Sequence, residues 1–153
     1  FKKYYNNISS GDDSVNIKYN SHLNEGSFKE IINSSISKDR FVQYTTKGIH
    51  KDDLEFLIDG NKIKNFGSQG QQKSFLVSLK LAQFEYYKDK LGSSPIVLLD
   101  DIFDKLDQSR VSQIVSILEK NEFGQIFITD THRERVEDAL KDSSNKEEIF
   151  NIE

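Results

Sequence analysis

Two short apolar runs, separated by an amphipathic segment of helix length, constrain the fold of this chain most strongly. The first run reads IVLLDD at residues 96–101, and the second reads QIFIT at residues 125–129. Between them, apolar residues recur at helical spacing from Val111 to Leu118. An uninterrupted apolar run is typical of a central strand that is buried on both faces. Strand, helix and strand in this order predict a parallel βαβ unit with a right-handed crossover.

The rest of the chain predicts further helices and a small antiparallel element. Asp59-Gly60-Asn61 is a turn signal between two strand-like segments, 54–59 and 62–64, and predicts a hairpin. The other expected elements, in chain order, are a strand at 15–19, a helix that begins near 28, a strand at 41–45, a helix of roughly 18 to 20 residues that ends near 91–92, a helix at 133–140 and a strand at 149–152. We therefore expect an α/β fold in which a small antiparallel element precedes a parallel βαβ core.

Composition narrows the class of protein. With 153 residues and 35% hydrophobic content, the chain can form one α/β domain. It contains no cysteine and no apolar run of about 18 residues, so neither a disulfide framework nor a membrane span is expected. The net charge of −4 gives no general basic field, so nucleic-acid binding would require a local patch or a partner. We expect a cytoplasmic protein, and the absence of methionine predicts a fragment whose N-terminal part lies elsewhere.

The segment NFGSQGQQKS at residues 65–74 is a near miss for a phosphate-binding P-loop. Gly67 and the pair Lys73-Ser74 have the expected spacing, but Gln72 replaces the second glycine, where the backbone must approach the phosphate. A P-loop also follows a buried apolar strand, and the polar residues before this segment do not form one. The sequence therefore argues against a nucleotide cradle of that type.

The same segment predicts a capped helix start. The Ser68 hydroxyl can accept a hydrogen bond from the third helical amide while Gln71 reaches back to the amide of the cap. Capping requires neither Gly67 nor Gly70, and the first turn carries no acid to complement the helix dipole. A helix start with free amides and small neutral residues can bind an external anion. These residues are therefore compatible with a well-capped helix and with a phosphate-binding site.

Acidic and polar residues follow both apolar runs. Asp100 and Asp101 come after the first run, where ligands bind at the carboxyl edge of open α/β sheets. Their oxygens suit Mg²⁺ held with nucleotide phosphates. An acidic turn is the simpler alternative, but two adjacent carboxylates after a buried run favour a bound cation. Asp107 is placed to cap the next helix, and residues 129–132 form either part of the same edge or a polar loop with an exposed histidine.

Taken together, these motifs resemble the ATPase head of ABC/SMC-type proteins and, among them, the RecF family of bacterial DNA replication and repair proteins. The motifs that carry the resemblance are, in order, GIHKDDL at 48–54, GSQGQQK at 67–73, IVLLDD at 96–101, DKLD at 104–107 and IFITDTH at 126–132. The resemblance is close over residues 40–135 and loose before them. It implies the C-terminal lobe of such a head.

The resemblance implies a role for each motif. The start of the long helix would be the signature motif, which in this family binds the γ-phosphate of ATP held by the opposing subunit. The residues of this motif are Ser68, Gln69, Gly70 and Gln71. Asp100 would position Mg²⁺, and Asp101 would stand where ABC proteins place the residue that orients or activates the attacking water. Residues 104–107 would form the D-loop at the dimer interface, with Asp107 near ATP and Asp104 in place of the more usual serine.

The resemblance also implies a switch segment after the second run. Register places Asp130 nearest to the family's switch position, and His132 lies two residues later. We therefore assign Thr129 to His132 to the ATP site as a region. His50, Asp52 and Asp53 match a further family motif, to which no chemical step is assigned.

In the family, two heads bind two ATP molecules between them, each contacted by the P-loop of one head and the signature of the other. RecF-like proteins use this ATP-dependent homodimer to hold gapped or junction DNA and, with RecR and RecO partners, to help load recombinase. Residues 1–40 would end a helical arm or connecting segment, and residues 41–153 would form the ATPase lobe. No Walker A motif occurs in the chain, so it should not hydrolyse ATP alone. The alternatives are a head of another SMC-like ATPase and a degenerate binding module that does not hydrolyse ATP.

Overall fold

The computed structural model describes residues 1–9, 11–120, 123–141, 143 and 148–151. The chain forms two compact units, a first unit of Phe1–Asp13 with Gly67–Glu153 and a second unit of Ser14–Phe66. The helices are α1 (Lys2–Ser9), α2 (Phe28–Val42), α3 (Ile63–Phe66), α4 (Gln69–Leu91), α5 (Gln108–Lys120) and α6 (Arg133–Leu140). The strands are β1 (Val15–Asn20), β2 (Asp53–Ile58), β3 (Asn61–Lys62), β4 (Val97–Asp100) and β5 (Ile126–Thr129).

The second unit is built on an antiparallel sheet with the strand order β1-β2-β3. The predicted hairpin joins β2 to β3, and its turn residues Asp59 and Gly60 have φ angles of 48° and 77°. Positive φ angles at both positions are typical of a tight hairpin whose twist matches that of the strands. The hairpin and its turn are therefore confirmed, but the second strand, predicted at 62–64, ends at Lys62, because Ile63 begins α3. The buried apolar residues of this unit are Val15, Ile31, Ile58 and Ile63.

Helix α2 extends into a segment that was predicted as a strand. It continues through Val42 and ends at Gln43, which has a φ of 64°. The strand predicted at 41–45 is therefore wrong. Its residues favour a strand locally, but Asp39 accepts hydrogen bonds from the amide and the hydroxyl of Thr46 (2.9 and 2.6 Å). These contacts hold the segment as a turn after the helix.

The first unit contains the predicted parallel arrangement. β4 and β5 are parallel neighbours, with Val97 opposite Ile126 and Asp100 opposite Thr129. Helix α5 lies between them in the chain, so the βαβ prediction is confirmed. A buried apolar cluster fills the interior of this unit, and its most enclosed members are Ile8, Leu81, Phe103 and Ile114.

One face of the two-stranded sheet is exposed. Leu99 is 4% exposed and belongs to the buried cluster, whereas Leu98 is 73% exposed. Ile96 and Phe127 are also exposed. The prediction that the first apolar run is buried on both faces is therefore wrong for the described part of the chain. The reason is that the buried cluster lies against only one side of the sheet.

The last described segments complete the first unit. The predicted helix near the end is confirmed as α6. A strand was predicted at residues 149–152, but residues 149–151 have no regular secondary structure, and Ile152 lies outside the described residues. None of the helices in the described ranges is long and apolar enough to cross a membrane.

Candidate functional site

The start of α4 forms the predicted capping box. The Ser68 hydroxyl accepts a hydrogen bond from the Gln71 amide (3.2 Å), and the Ser68 amide donates to Oε1 of Gln71 (2.8 Å). The side-chain amide of Gln71 also donates to Oδ2 of Asp13 (3.1 Å). Both cap side chains are therefore held in place by the protein itself.

Backbone donors remain at this helix start. Gln69 and Gly70 are the first two residues of α4, and the first amides of an α-helix have no partner inside the helix. The first turn contains no acidic residue, so no carboxylate there offsets the positive end of the helix dipole. An anion at residues 68–71 would meet N–H donors and a favourable field.

The carboxyl ends of β4 and β5 bring the predicted acidic and hydroxyl groups together. The Thr129 hydroxyl donates a hydrogen bond to Oδ1 of Asp100. The Asp101 amide donates to the carbonyl oxygen of Thr129 (3.0 Å). Asp101 has a φ of 48°, in the left-handed region, where a non-glycine residue costs about 1–2 kcal/mol. Backbone strain of this kind clusters at functional sites, where the surrounding structure holds it in place.

Lys73 connects α4 to this acidic turn. Its Nζ donates to the carbonyl oxygen of Asp101 at 2.7 Å, in a partly buried position. Lys73 has the spacing of a P-loop lysine, but here it binds the backbone of the chain itself. This hydrogen bond supports the strained Asp101 and fixes the acidic turn relative to the start of α4. Sequence reasoning missed this contact, because nothing in the sequence indicates which distant carbonyl a lysine meets.

The segment after β5 divides its polar residues between the interior and solvent. The Asp130 side chain is 0% exposed; it accepts from the His132 amide (2.8 Å) and pairs with Nη1 of Arg135 (3.3 Å). His132 is 67% exposed, and its Nδ1 lies 2.9 Å from the Thr131 hydroxyl. Within the segment predicted as the switch, Asp130 therefore anchors the loop, and His132 presents its ring to solvent.

The segment before α5, the predicted D-loop, is held from two sides. Oδ1 of Asp107 accepts from the Arg110 amide (2.9 Å), which confirms the predicted cap. Oδ1 of Asp104 lies 3.9 Å from Nη1 of Arg135, the arginine that also pairs with Asp130. The segments predicted as the D-loop and the switch therefore share one arginine. Neither Arg110 nor Arg135 was identified from the sequence.

The acidic edge suits a Mg²⁺ ion that is bound partly by phosphate and water. In the described part of the chain, no group of three or more His, Cys, Asp or Glu side chains could hold a metal ion. Mg²⁺ usually keeps several waters and takes one or two carboxylates beside substrate phosphates. Asp100, Asp101 and the Thr129 hydroxyl supply such a donor set. These residues therefore fit a phosphate-bound Mg²⁺ better than an ion enclosed by protein alone.

The motif at residues 48–54 lies in the second unit. Asp52 accepts a hydrogen bond from the Tyr19 hydroxyl, and this bond is the largest cause that lowers the pKa of Asp52 from its ordinary value. Nε2 of His50 lies 3.1 Å from the carbonyl oxygen of Thr45. Asp53 begins β2. These contacts stabilise the loop before β2 and assign no chemical step to the motif.

Known proteins are similar to this chain along its whole length. No family model matches it. The chain is 51% identical over 152 residues to the DNA replication and repair protein RecF of Flavobacterium johnsoniae and 46% identical over 154 residues to that of Phocaeicola vulgatus. These alignments include 99% and 100% of this chain. The chain spans 42% of the length of either relative.

Solved structures share the fold. The chain aligns with two structures of the recombination mediator protein RecF in the RecFOR pathway, one with ATPrS and one with ATP. Each alignment has a TM-score of 0.61 and 24% sequence identity. The alignments cover 86% and 85% of this chain and 39% of each neighbour. At this identity, the likeness establishes the fold.

Proposed function

Because this chain corresponds along its whole length to a part of RecF-family proteins, we propose that it contributes to the ATP sites of a DNA replication and repair ATPase. In the full-length protein, Ser68, Gln69, Gly70 and Gln71 contact the γ-phosphate of ATP that a second copy holds. The carboxylates after β4 serve the nucleotide of their own copy. Each chain therefore takes part in two ATP sites of one homodimer.

One observation carries this proposal, namely the direct connection between the start of α4 and the acidic edge of the sheet. Lys73 of α4 donates to the carbonyl oxygen of Asp101 at 2.7 Å, and Thr129 of β5 donates to Asp100. The capping box at Ser68 lies one helical turn before Lys73. The start of α4 and the carboxylates after β4, which in the family act on two different nucleotides, are thus in direct contact within one chain.

The described contacts support specific tasks for the polar residues. Asp100, oriented by the Thr129 hydroxyl, would hold Mg²⁺ together with phosphate oxygens. Asp101, fixed by Lys73, would orient or activate the attacking water. The exposed ring of His132 is available to a phosphate, whereas Asp130 is buried. When bound, Mg²⁺ would neutralise charge on the transferred phosphoryl group.

The cellular role also belongs to this proposal. We propose that the full-length protein holds DNA as an ATP-dependent homodimer in the cytoplasm and acts with RecR-like and RecO-like partners. The net charge of −4 means that DNA contact needs a local basic patch or the rest of the protein. The division into a connecting segment at 1–40 and an ATPase lobe at 41–153 stays a prediction.

Dimerisation of the full-length protein tests the role of the helix start. We expect Ser68→Arg to weaken ATP-dependent dimerisation at least about tenfold, because a bulky cation would fill the position of the partner's phosphate. ATP binding to the monomer should be nearly unchanged. Sedimentation velocity with and without ATP measures the first quantity, and equilibrium binding of a fluorescent ATP analogue at low protein concentration measures the second.

Ser27→Arg is the matched control, because Ser27 caps α2 through the same kind of capping box. It should cost similar helix stability and leave ATP-dependent dimerisation within about twofold of wild type. If Ser68→Arg instead abolishes monomer binding, the helix start cradles the nucleotide of its own copy and the proposal is wrong. An unchanged dimerisation constant for Ser68→Arg would favour the degenerate binding module.

A further inference from the structure

The guanidinium of Arg110 lies against the first turn of α4. A Cβ atom added at Gly70 would overlap with Nη1 of Arg110 and would lie 3.5 Å from the carbonyl oxygen of Lys105. Gly70 is a helical residue and its φ is not positive, so its backbone conformation would accept a side chain. Arg110 occupies the space that glycine leaves open, so an added Cβ would move the flexible end of this arginine and would leave the backbone in place.

Arg110 is held from its other side by the D-loop. Its Nε lies 3.4 Å from Oδ2 of Asp107, and its amide donates to Oδ1 of the same carboxylate at 2.9 Å. The side chain of Arg110 is 19% exposed, whereas that of Asp107 is 60% exposed. One arginine thus touches the start of α4 and the start of α5 at the same time.

The position of this cation is electrostatically costly. Arg110 is the third residue of α5, and its guanidinium also lies at the second residue of α4. Cations near the N-terminus of a helix oppose the helix dipole, and neither helix has an acid in its first turn. Asp107 offsets part of this cost. A neutral side chain of similar size would fill the same space at lower cost, which argues against a purely structural role.

We propose that Arg110 is a positioning residue that holds Ser68, Gln71 and Asp107 in one arrangement for the partner's nucleotide. This inference rests on the proposed function. The start of α4 and the D-loop then meet the opposing copy as one body, and glycine at position 70 leaves room for the guanidinium in its present place. Loss of Arg110 would leave each segment folded but would remove their common orientation.

A double-mutant cycle in the full-length protein tests this inference. The variants are Arg110→Gln, Gly70→Ala and the double variant, and the readout is the ATP-dependent dimerisation constant. We expect each single change to weaken dimerisation about tenfold, because each displaces the same guanidinium, and the double variant to be no weaker than Arg110→Gln. The thermal unfolding midpoint without ATP should stay close to that of wild type.

Arg40→Gln and Gly26→Ala are the matched controls. Arg40 is an exposed arginine at the end of α2, and a Cβ at Gly26 would meet only Oε2 of Glu30 at 3.5 Å. Both controls should leave dimerisation unchanged. Additive effects of Arg110→Gln and Gly70→Ala, or an Arg110→Gln dimerisation constant within twofold of wild type, would overturn the inference. A lower unfolding midpoint of Arg110→Gln or Gly70→Ala that is large enough to explain the weaker dimer would also overturn the inference.

The Ser68→Arg variant separates this inference from the proposed function. If Ser68→Arg prevents ATP-dependent dimerisation and Arg110→Gln does not weaken it, only the role of Arg110 is wrong. If Ser68→Arg has no effect, the proposed function and the inference are both wrong. Weakening by Ser68→Arg, together with a non-additive cycle, supports both.

Discussion

At the residue scale, the side chains of this site are held in place by contacts with one another. Ser68 and Gln71 satisfy each other, and Lys73 binds the carbonyl oxygen of Asp101. Asp130 is buried and paired with Arg135. Groups that are already fixed in one arrangement lose little conformational entropy when a ligand binds. Because these side chains are already paired, the backbone amides at the start of α4 are the best candidates in this site for direct contact with a phosphate.

Removal of the Lys73 ammonium tests how much the acidic turn depends on this contact. We expect Lys73→Met to destabilise the full-length protein by about 1–2 kcal/mol, because the left-handed Asp101 loses a charge-assisted hydrogen bond. The decrease is measured as a lower thermal unfolding midpoint. Lys80→Met is the control, since Lys80 is an exposed lysine of the same helix. Equal midpoints for the two variants would show that the Lys73 contact contributes nothing measurable.

At the element scale, helices α2 and α4 each end at a residue with a positive φ angle. Helix α4 runs for 23 residues from the Ser68 cap to Gly92, whose φ of 66° ends it, close to the predicted end. Helix α2 passes through residues that favour a strand, and ends only at Gln43. Strand propensity therefore gave the wrong element where a nearby hydrogen-bonded contact, from Thr46 to Asp39, fixed the turn after the helix.

The end of α2 should show an acid-dependent stability. Hydrogen bonds, above all from the Thr46 hydroxyl, hold the pKa of Asp39 below its ordinary value. A lowered folded-state pKa means that this contribution is fully present above pH ~4 and is lost as the pH falls through the folded-state pKa. We expect Asp39→Asn to lower the unfolding midpoint at pH 7 and to reduce the difference between pH 7 and pH 3.

Asp12→Asn provides the control for this experiment, because Asp12 is an exposed aspartate. Asp12→Asn should leave the difference in unfolding midpoint between pH 7 and pH 3 as it is in wild type. The contribution of Asp39 is absent if both variants show the same pH profile.

At the scale of the whole molecule, the proposed function requires two copies. The chain spans 42% of the length of its relatives and contains no Walker A motif. Its residues would meet two different nucleotides, one through the start of α4 and one through Asp100 and Asp101. A variant that damages one of these sets should therefore be complemented by a variant that damages the other.

Mixing two inactive variants of the full-length protein tests this composite site. We expect Asp101→Asn alone to lower ATP turnover about 100-fold, because the attacking water loses its orienting carboxylate. Ser68→Arg alone should also be nearly inactive. At a protein concentration high enough to saturate dimerisation of both variants, an equal mixture should recover about a quarter of the wild-type rate, since half of randomly formed dimers keep one intact site. Turnover is measured as phosphate release with DNA present.

Asp89→Asn serves as the control, because Asp89 is exposed on the last turns of α4. This variant should turn over ATP at the wild-type rate, and the change should not alter the rate of ATP turnover that the mixture recovers. No recovery in the mixture would mean that the signature and the acids act on the same nucleotide. Absence of turnover in the wild-type protein would exclude the ATPase function itself.

The element types around the site and the order of the motifs follow from the sequence alone. Apolar periodicity, the capping box at Ser68 and the glycine turn at Gly60 depend on residues that are close in sequence, so they can be read from it. The two apolar runs also predicted which strand ends would meet, because parallel βαβ units bring their carboxyl edges together. These features are confirmed in α4, β4 and β5.

Which side chains are buried, paired or exposed becomes known from the folded chain. It buries Asp130 and exposes His132, it places Arg110 against Gly70, and it leaves Leu98 exposed. Asp130 meets His132 and Arg135, which are near in sequence but whose contacts depend on how the loop folds. Arg110 meets Gly70, 40 residues away, and Leu98 is exposed because the buried cluster lies on the other side of the sheet. Side-chain type and spacing carry no information about such distant partners. The physical reason is that burial and pairing belong to the packed molecule and not to any one segment.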